Sequence, residues 1–410
     1  MSDLRRSWVE SANAPGCAFP LNNLPYGVFS VGGRRRCGVA IGDMILDATG
    51  LEAAGILRPD PDQDVLQAPG WNPFMALGKP AWSAYRAGLV ALLSDGADEA
   101  VRPYLVSLAD ATLHMPFHVS EFTDFYASRH HATHVGTMFR GAEHALPPNW
   151  LHMPIGYNGR ASSVVVSGTD IIRPHGQIIG DDGLLFAPSE RFDFELEMGA
   201  IVGQPSRGPL SVAQAFENIF GYVLLNDWSA RDIQAWEYQP LGPFQGKATA
   251  TSISPWIVTA EALEVFRCET PAPERPLLDY LRPPAPMLYD IALEAVLTPE
   301  GGEACIMTRT NLNEIYYSSA QQLAHHTSSG CPMRVGDLLG SGTISGPEQG
   351  ARGSMLELTW GGAQPLTLEG GAERSFLDDG DRVTLSGFAQ GNGFCVGFGD
   401  CTGTLRGARV

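Results

Sequence analysis

The hydrophobic pattern of this chain changes character near residue 116. Between Asn23 and Leu46 (NLPYGVFSVGGRRRCGVAIGDMIL) short apolar runs alternate with glycine turns, the pattern of a small β-barrel. Ala81 to Leu93 then places apolar side chains at helical spacing and runs into Ser94-Asp95-Gly96, a helix stop. Beyond residue 116 come many short runs rich in valine, isoleucine and phenylalanine, and 47 glycines and 30 prolines in the whole chain supply the turns between them. The predicted organisation is a compact first domain over residues 1–115 and an antiparallel or mixed β-rich second domain over 116–410. The proline-dense stretch Pro271 to Pro286 reads as a surface excursion of the second domain, because strand-like sequence continues on both sides.

Composition agrees with this plan and narrows the function. At 410 residues and 44% hydrophobic the chain can bury a large core and exceeds the usual size of one domain. A formal charge of -18, from 27 basic and 45 acidic side chains, argues against nucleic acid or an anionic membrane as partner. No apolar run approaches the roughly 18 residues of a membrane span or forms a signal peptide, so a soluble, cytoplasmic protein is expected. The seven cysteines are scattered without a CxxC, which indicates neither a disulfide framework nor a zinc knuckle.

Against this apolar background, several charged residues stand where burial is expected, and a buried charge is costly unless it is paired, ligated or used. In RFDFELEMGAIVG, Phe192, Phe194, Leu196 and Met198 alternate with Asp193, Glu195 and Glu197, so Glu195 and Glu197 lie side by side on one strand face. Taken alone, that is also what a half-exposed strand shows. In YVLLNDWSARDIQAWEY a buried strand from Tyr222 to Leu225 leads into a helix predicted to open near Asn226 or Asp227. On such a helix Asp227, Arg231, Gln234 and Tyr238 form one polar stripe. With Asp124 of FTDFY these make four oxygen ligands, Asp124, Glu195, Glu197 and Asp227, a set that suits magnesium or calcium rather than zinc.

A base is available in SRHHATHVG. If that segment is helical from Asp124, His131 shares the face of Asp124 while His130 and His134 point away. Glu357 in SMLELTW, read as a strand, shares a face with Met355 and Thr359 and either orients a histidine or is solvated. The glycine-rich SGTISGPE lacks a phosphate-loop pattern and reads as a turn that places the Thr343 hydroxyl at a pocket.

The segments DFYASRHHATHVGTMFRG, NWLHMPIGYNGRASSVVVSGT, FELEM, NDWSARDIQAWEYQPLGPFQGK, SGTISGPE and GSMLELTW together resemble the fumarylacetoacetase family, and the resemblance runs from about Phe19 to about Gly403. It implies a mainly β (α+β) fold: a small N-terminal SH3-like β-barrel followed by a large mixed β-sandwich roll, as a homodimer. It implies a magnesium or calcium ion held by Asp124, Glu195, Glu197 and Asp227, with Lys247 and Thr251 close around it. His131 would be the general base, oriented by Glu357, and Arg231, Gln234 and Lys247 would stabilise developing negative charge. Tyr126, Arg140, Tyr157, Tyr238 and Thr343, with Arg231 and Gln234, would grip a diketo diacid. The implied reaction is hydrolysis of the carbon-carbon bond of fumarylacetoacetate to fumarate and acetoacetate, the last step of tyrosine and phenylalanine breakdown. The doubled His130-His131 leaves His130 as a competitor for the base, but motif register and helical face both favour His131. The alternatives are another β-keto or acylpyruvate substrate, or a metal-stabilised protein without activity. The stripe of Arg231, Gln234 and Tyr238 disfavours the first, and the presence of His131, Glu357 and Lys247 disfavours the second.

Overall fold

A computed structural model describes residues 3–409. The chain is mainly β, with mixed sheets, as the short apolar runs predict. The sheet that matters most for the site has 13 strands, and its central run in space is Tyr26–Val31, Trp256–Thr259, Ile219–Asp227, Leu196–Val202, Leu338–Gly340, Phe122–Phe125 and Gly156–Asn158. Most neighbours are antiparallel, but Leu338–Gly340 runs parallel to Phe122–Phe125, with Gly340 opposite Asp124. The N-terminal strands join this sheet directly, because Tyr26 and Gly27 pair with Ile257 and Trp256.

Strands Leu196–Val202 and Ile219–Asp227 are buried at every residue. Their period of two nevertheless persists, because alternate residues enter different cores. Met198, Ala200, Tyr222 and Leu224 pack into the core of the second half of the chain. Ile201, Val223 and Leu225 pack instead against Tyr26, Trp71, Phe74 and Leu89 of the N-terminal portion. Leu89 belongs to the helix Lys79–Leu93, which extends the predicted Ala81–Leu93 by two residues and buries Trp82, Tyr85, Arg86, Leu89 and Leu93. An apolar layer thus covers each face, and water is kept from both.

The second core is closed by a six-stranded sheet in the order Cys305–Asn311, Ala292–Thr298, Arg382–Gln390, Cys401–Arg406 and Asp170–Ile172, with Cys395–Gly397 added to the middle strand. Ala292–Thr298 and Arg382–Gln390 show alternating burial, the mark of a sheet packed on one face. The two sheets touch closely where Gly387 faces Leu224, 2.9 Å from a β-carbon built on the glycine. The Pro271–Pro286 stretch lies on the surface, as expected, and is pinned by buried Leu277 and Leu281. No helix among the described residues is long and apolar enough to cross a membrane, and all seven cysteines are free.

Three sequence expectations differ from the structure. Asp124 lies on the strand Phe122–Phe125, and the helix that follows begins at Arg129, capped by Ser128. Asp227 ends the strand Ile219–Asp227, and the helix opens at Arg231 rather than near Asn226. Met355–Leu358 is a helical turn, not a strand, because the Ser354 hydroxyl caps it by accepting from the Glu357 amide. In each case a local hydrogen bond or sheet pairing overrides the hydrophobic periodicity of a short segment.

Trp228 shows how tightly the site is backed. It is fully buried, stacks on Phe192 with ring centroids 6.1 Å apart, and donates Nε1–H to the Ser252 hydroxyl at 2.9 Å. Trp228→Ala is expected to lower stability by about 3–5 kcal/mol, seen as a lower urea midpoint with an unchanged slope.

Candidate metal centre and active site

Pairing between strands gathers the carboxylates. Asp227 lies opposite Thr251, Glu197 opposite Leu225, and Asp124 between Gly340 and Tyr157 in neighbouring strands. Glu195 precedes its strand and is tied by an isolated bridge to Ser354. As a result, Asp124, Glu195, Glu197 and Asp227 are all buried, and one oxygen from each lies within 4.8 Å of the others. The solvated strand face is thereby ruled out.

Two cations enter this acidic cluster. Lys247 donates to Glu195 and, at 2.8 Å, to Asp227, while Arg231 Nη1 lies 2.7 Å from Glu195. Burial alone would raise the Glu195 carboxyl, but Arg231 and Lys247 bring it down to about 2. Among the described residues Asp124 and Glu197 form no ion pair with either cation, and the pull of Lys247 on them is outweighed. Burial, then the adjacent carboxylates, push Asp124 up to about 8 and Glu197 well above its ordinary value. Among the described residues, Asp124 Oδ1 and Glu197 Oε1 are buried without a hydrogen-bond partner. A divalent cation fits this set, since it would take the orphaned oxygens and offset the repulsion. Thr251 supports the cluster by donating to Asp227 at 3.0 Å, and Tyr157 does the same at 3.2 Å. Lys247 stands beside the cluster as a cation, not as a lone-pair donor, because its carboxylate partners raise its affinity for the proton despite burial.

The second unit is built around Glu357, which is fully buried. Its carboxylate accepts from His131 Nδ1 at 2.6 Å, His134 Nδ1 at 2.8 Å, and the hydroxyls of Ser345 and Ser354 at 2.9 and 3.0 Å. Burial favours the neutral acid, but the two imidazoles and their hydrogen bonds hold Glu357 well below the usual carboxylate range. An ionised carboxylate can only accept, so Nδ1 of His131 carries the proton and Nε2 is left as its basic nitrogen. His130 instead faces Glu314 at 3.5 Å, outside this unit. The expectation that His134 points away from the site is corrected: Asp124 lies on a strand and sets no helical face, and on the helix Arg129–Arg140 His134 stands three residues from His131, so that both reach Glu357.

Both units open into one cavity of about 440 Å³. Asp124, Glu195, Lys247 and His131 line it, as do Tyr126, Arg140, Tyr157, Arg231, Gln234, Tyr238 and Thr343. Glu197, Asp227, Thr251 and Glu357 are buried and do not line it. Gly342 lets the Thr343 turn approach: its φ is +76°, its amide donates to Glu197 at 3.0 Å, and a β-carbon there would lie 2.2 Å from the Phe125 carbonyl oxygen. Thr343 Oγ1 and Arg231 Nη2 are buried without a protein partner among the described residues. Sequence reasoning gave no role to His134, to Asp193, or to Phe139 and Leu241 at the rim, although Asp193 belongs to the same alternation as Glu195 and Glu197.

Two family models account for nearly the whole chain: "Fumarylacetoacetase N-terminal" over residues 22–116 and "Fumarylacetoacetate (FAA) hydrolase C-terminal" over 121–406. The chain belongs to the fumarylacetoacetate hydrolase family. Among its similar members are fumarylacetoacetases of Arabidopsis thaliana, 48% identical with 94% of this chain and 95% of the relative covered, and of Homo sapiens, 48% identical with 94% and 96% covered. That of Caenorhabditis elegans is 49% identical, with 96% and 97% covered. Among solved structures, the fumarylacetoacetate hydrolase from Exiguobacterium antarcticum aligns over 94% of this chain and 100% of its own, with a TM-score of 0.55 and 18% identity, a likeness of fold.

For this family member, cation binding and pH are coupled through Asp124 and Glu197. Raised carboxyls keep their protons in the folded state, so the cation-free protein loses stability as pH rises from roughly 4, the unfolded value, to about 8, the folded value of Asp124. A divalent cation binds the ionised forms, so magnesium is expected to raise the melting temperature more at pH 8 than at pH 6, with proton release detectable by calorimetry in two buffers. An equal shift at both values would contradict this coupling. Gly340→Ala would place a methyl group 2.6 Å from Asp124 Oδ1 and 3.1 Å from Glu197 Oε2. It is expected to weaken magnesium binding by about 10-fold or more, measured by titration calorimetry.

Proposed function

We propose that this protein hydrolyses 4-fumarylacetoacetate to fumarate and acetoacetate, using a resident magnesium or calcium ion. The observation that carries the reading is the convergence of His131, the acidic cluster, and the unpartnered Arg231 Nη2 and Thr343 Oγ1 on one buried cavity. The full-length similarity to fumarylacetoacetases supports the substrate assignment. The catalytic unit is assigned to residues 116–410, with 1–115 as the N-terminal domain.

In this reading a divalent cation supplies Lewis-acid charge that favours negative charge developing on the diketone oxygens. His131 Nε2 takes a proton from water, and the resulting hydroxide adds to the carbonyl beside the fumaryl group. The carbon-carbon bond breaks with its electron pair moving to the acetoacetate fragment, and a proton then completes acetoacetate. Glu357 holds His131 in the required tautomer. Lys247, Arg231 and Gln234 face the negative charge that develops, while Arg140, Tyr126, Tyr157, Tyr238 and Thr343 bind the diacid.

The protein is further proposed to act as a cytoplasmic homodimer. The hairpin His175–Gly180 and Gly183–Pro188 supports this assembly, because it exposes Ile179, Leu184 and Phe186, apolar surface of the kind subunit contacts cover. Sedimentation equilibrium is expected to give twice the chain mass of 44.0 kDa.

Mixing protein, magnesium and fumarylacetoacetate is expected to remove the diketone absorbance with matching release of fumarate, and no turnover with any divalent ion would refute the reading. Lys247→Ala is expected to lower kcat by about 10²–10³-fold. His131→Ala is expected to abolish turnover while His130→Ala stays near wild type, and the opposite result would transfer the base to His130.

A further inference from the structure

Asp193 is a fully buried carboxylate to which the reaction above gives no role, and it does not line the cavity. It sits on the short strand Phe192–Asp193, paired with Ser229–Ala230 directly before the helix Arg231–Glu237. Its Oδ2 accepts from Arg231 Nε at 2.8 Å and from the Leu356 amide at 3.0 Å, and its Oδ1 accepts from the Met355 amide at 2.8 Å. Those amides belong to the turn that carries Glu357, and Glu357 holds His131. The same Arg231 reaches Glu195 through Nη1 at 2.7 Å and leaves Nη2 without a protein partner among the described residues. One side chain therefore joins the guanidinium at the cavity wall to the turn behind the base.

Burying a carboxylate and its partner is often no more stabilising than apolar residues of the same shape, so stability alone is a weak reason for this arrangement. Geometry is a stronger one. Without Asp193 the guanidinium would keep Glu195 but lose the contact that fixes Nε. The Glu357 turn would lose both amide anchors, and the direction of His131 Nε2 would loosen with it.

We propose that Asp193 is a positioning residue for the hydrolysis, setting the Arg231 guanidinium and the Glu357–His131 pair in register with each other. The inference rests on the roles given above to Arg231, His131 and Glu357. The test compares wild type, Asp193→Asn, Glu357→Gln and the double variant for kcat and KM with fumarylacetoacetate. In parallel, proton NMR follows the downfield Nδ1–H resonance of the His131–Glu357 hydrogen bond, which needs no turnover. Asp193→Asn is isosteric and is expected to lower kcat by about 10- to 100-fold with a smaller change in KM. It is expected to shift or broaden the downfield resonance, and to cost no more than about twofold further once Glu357 is already Gln, the scale of ordinary additivity error. A wild-type kcat and an unmoved resonance in a folded Asp193→Asn protein, even with a lower melting temperature, would overturn the proposal, as would fully additive losses. Should the Asn variant not fold, Asp193→Ser is read by the same measurements. An inactive wild type would refute the hydrolase reading instead, while the resonance would still report on Asp193.

Discussion

The structure depends on an imbalance of charge at one end of a sheet buried on both faces. Asp124, Asp193, Glu195, Glu197 and Asp227 are buried together, and the cations among them are Arg231 and Lys247. In water such a group would disperse, but here strand pairing holds the carboxylates in place and two apolar cores exclude solvent. The cations are unevenly shared. Glu195 is paired directly with both and ionises readily, whereas Asp124 and Glu197 are paired directly with neither among the described residues and keep an unpartnered oxygen each. That unevenness turns an electrostatic liability into a place where a divalent cation is stabilising.

The Glu357 unit solves a related problem differently. Its single buried charge is spread over two imidazoles and two hydroxyls, so it needs no metal and can serve as a fixed acceptor. Separation of the two units matters chemically. A base held by an ionised carboxylate and a cluster suited to a cation face the same cavity, which Arg231 and Lys247 also line. Asp193 lies where the supports of the two units meet.

Much of the site was legible in local sequence because its residues violate the hydrophobic pattern around them. Glu195 and Glu197 interrupt an apolar run, and the period-two alternation that sets them side by side agrees with the cluster they share. Where local pattern and structure part, the segments are short. Polarity alone carries the next helix back to Asp227 and makes a strand of the turn bearing Glu357, because four or five residues of alternating polarity fit either state. His134 escapes the local pattern because a face reckoned from Asp124 has no meaning once Asp124 lies on a strand, whereas within the helix His134 stands three residues from His131.

By itself the sequence determined the mainly β class, the acidic oxygen-donor chemistry, the helix over Ala81–Leu93 and, through its motifs, the family. Those properties follow from residue type and short-range periodicity, which survive without knowledge of the fold. Tertiary structure decided which carboxylates ionise, which histidines meet Glu357, and that Asp193 links Arg231 to the Glu357 turn. These are matters of burial and of distance between segments far apart in the chain, such as the 162 residues separating Asp193 from Met355. Desolvation and Coulomb energy depend on those separations in space, and no local pattern encodes them.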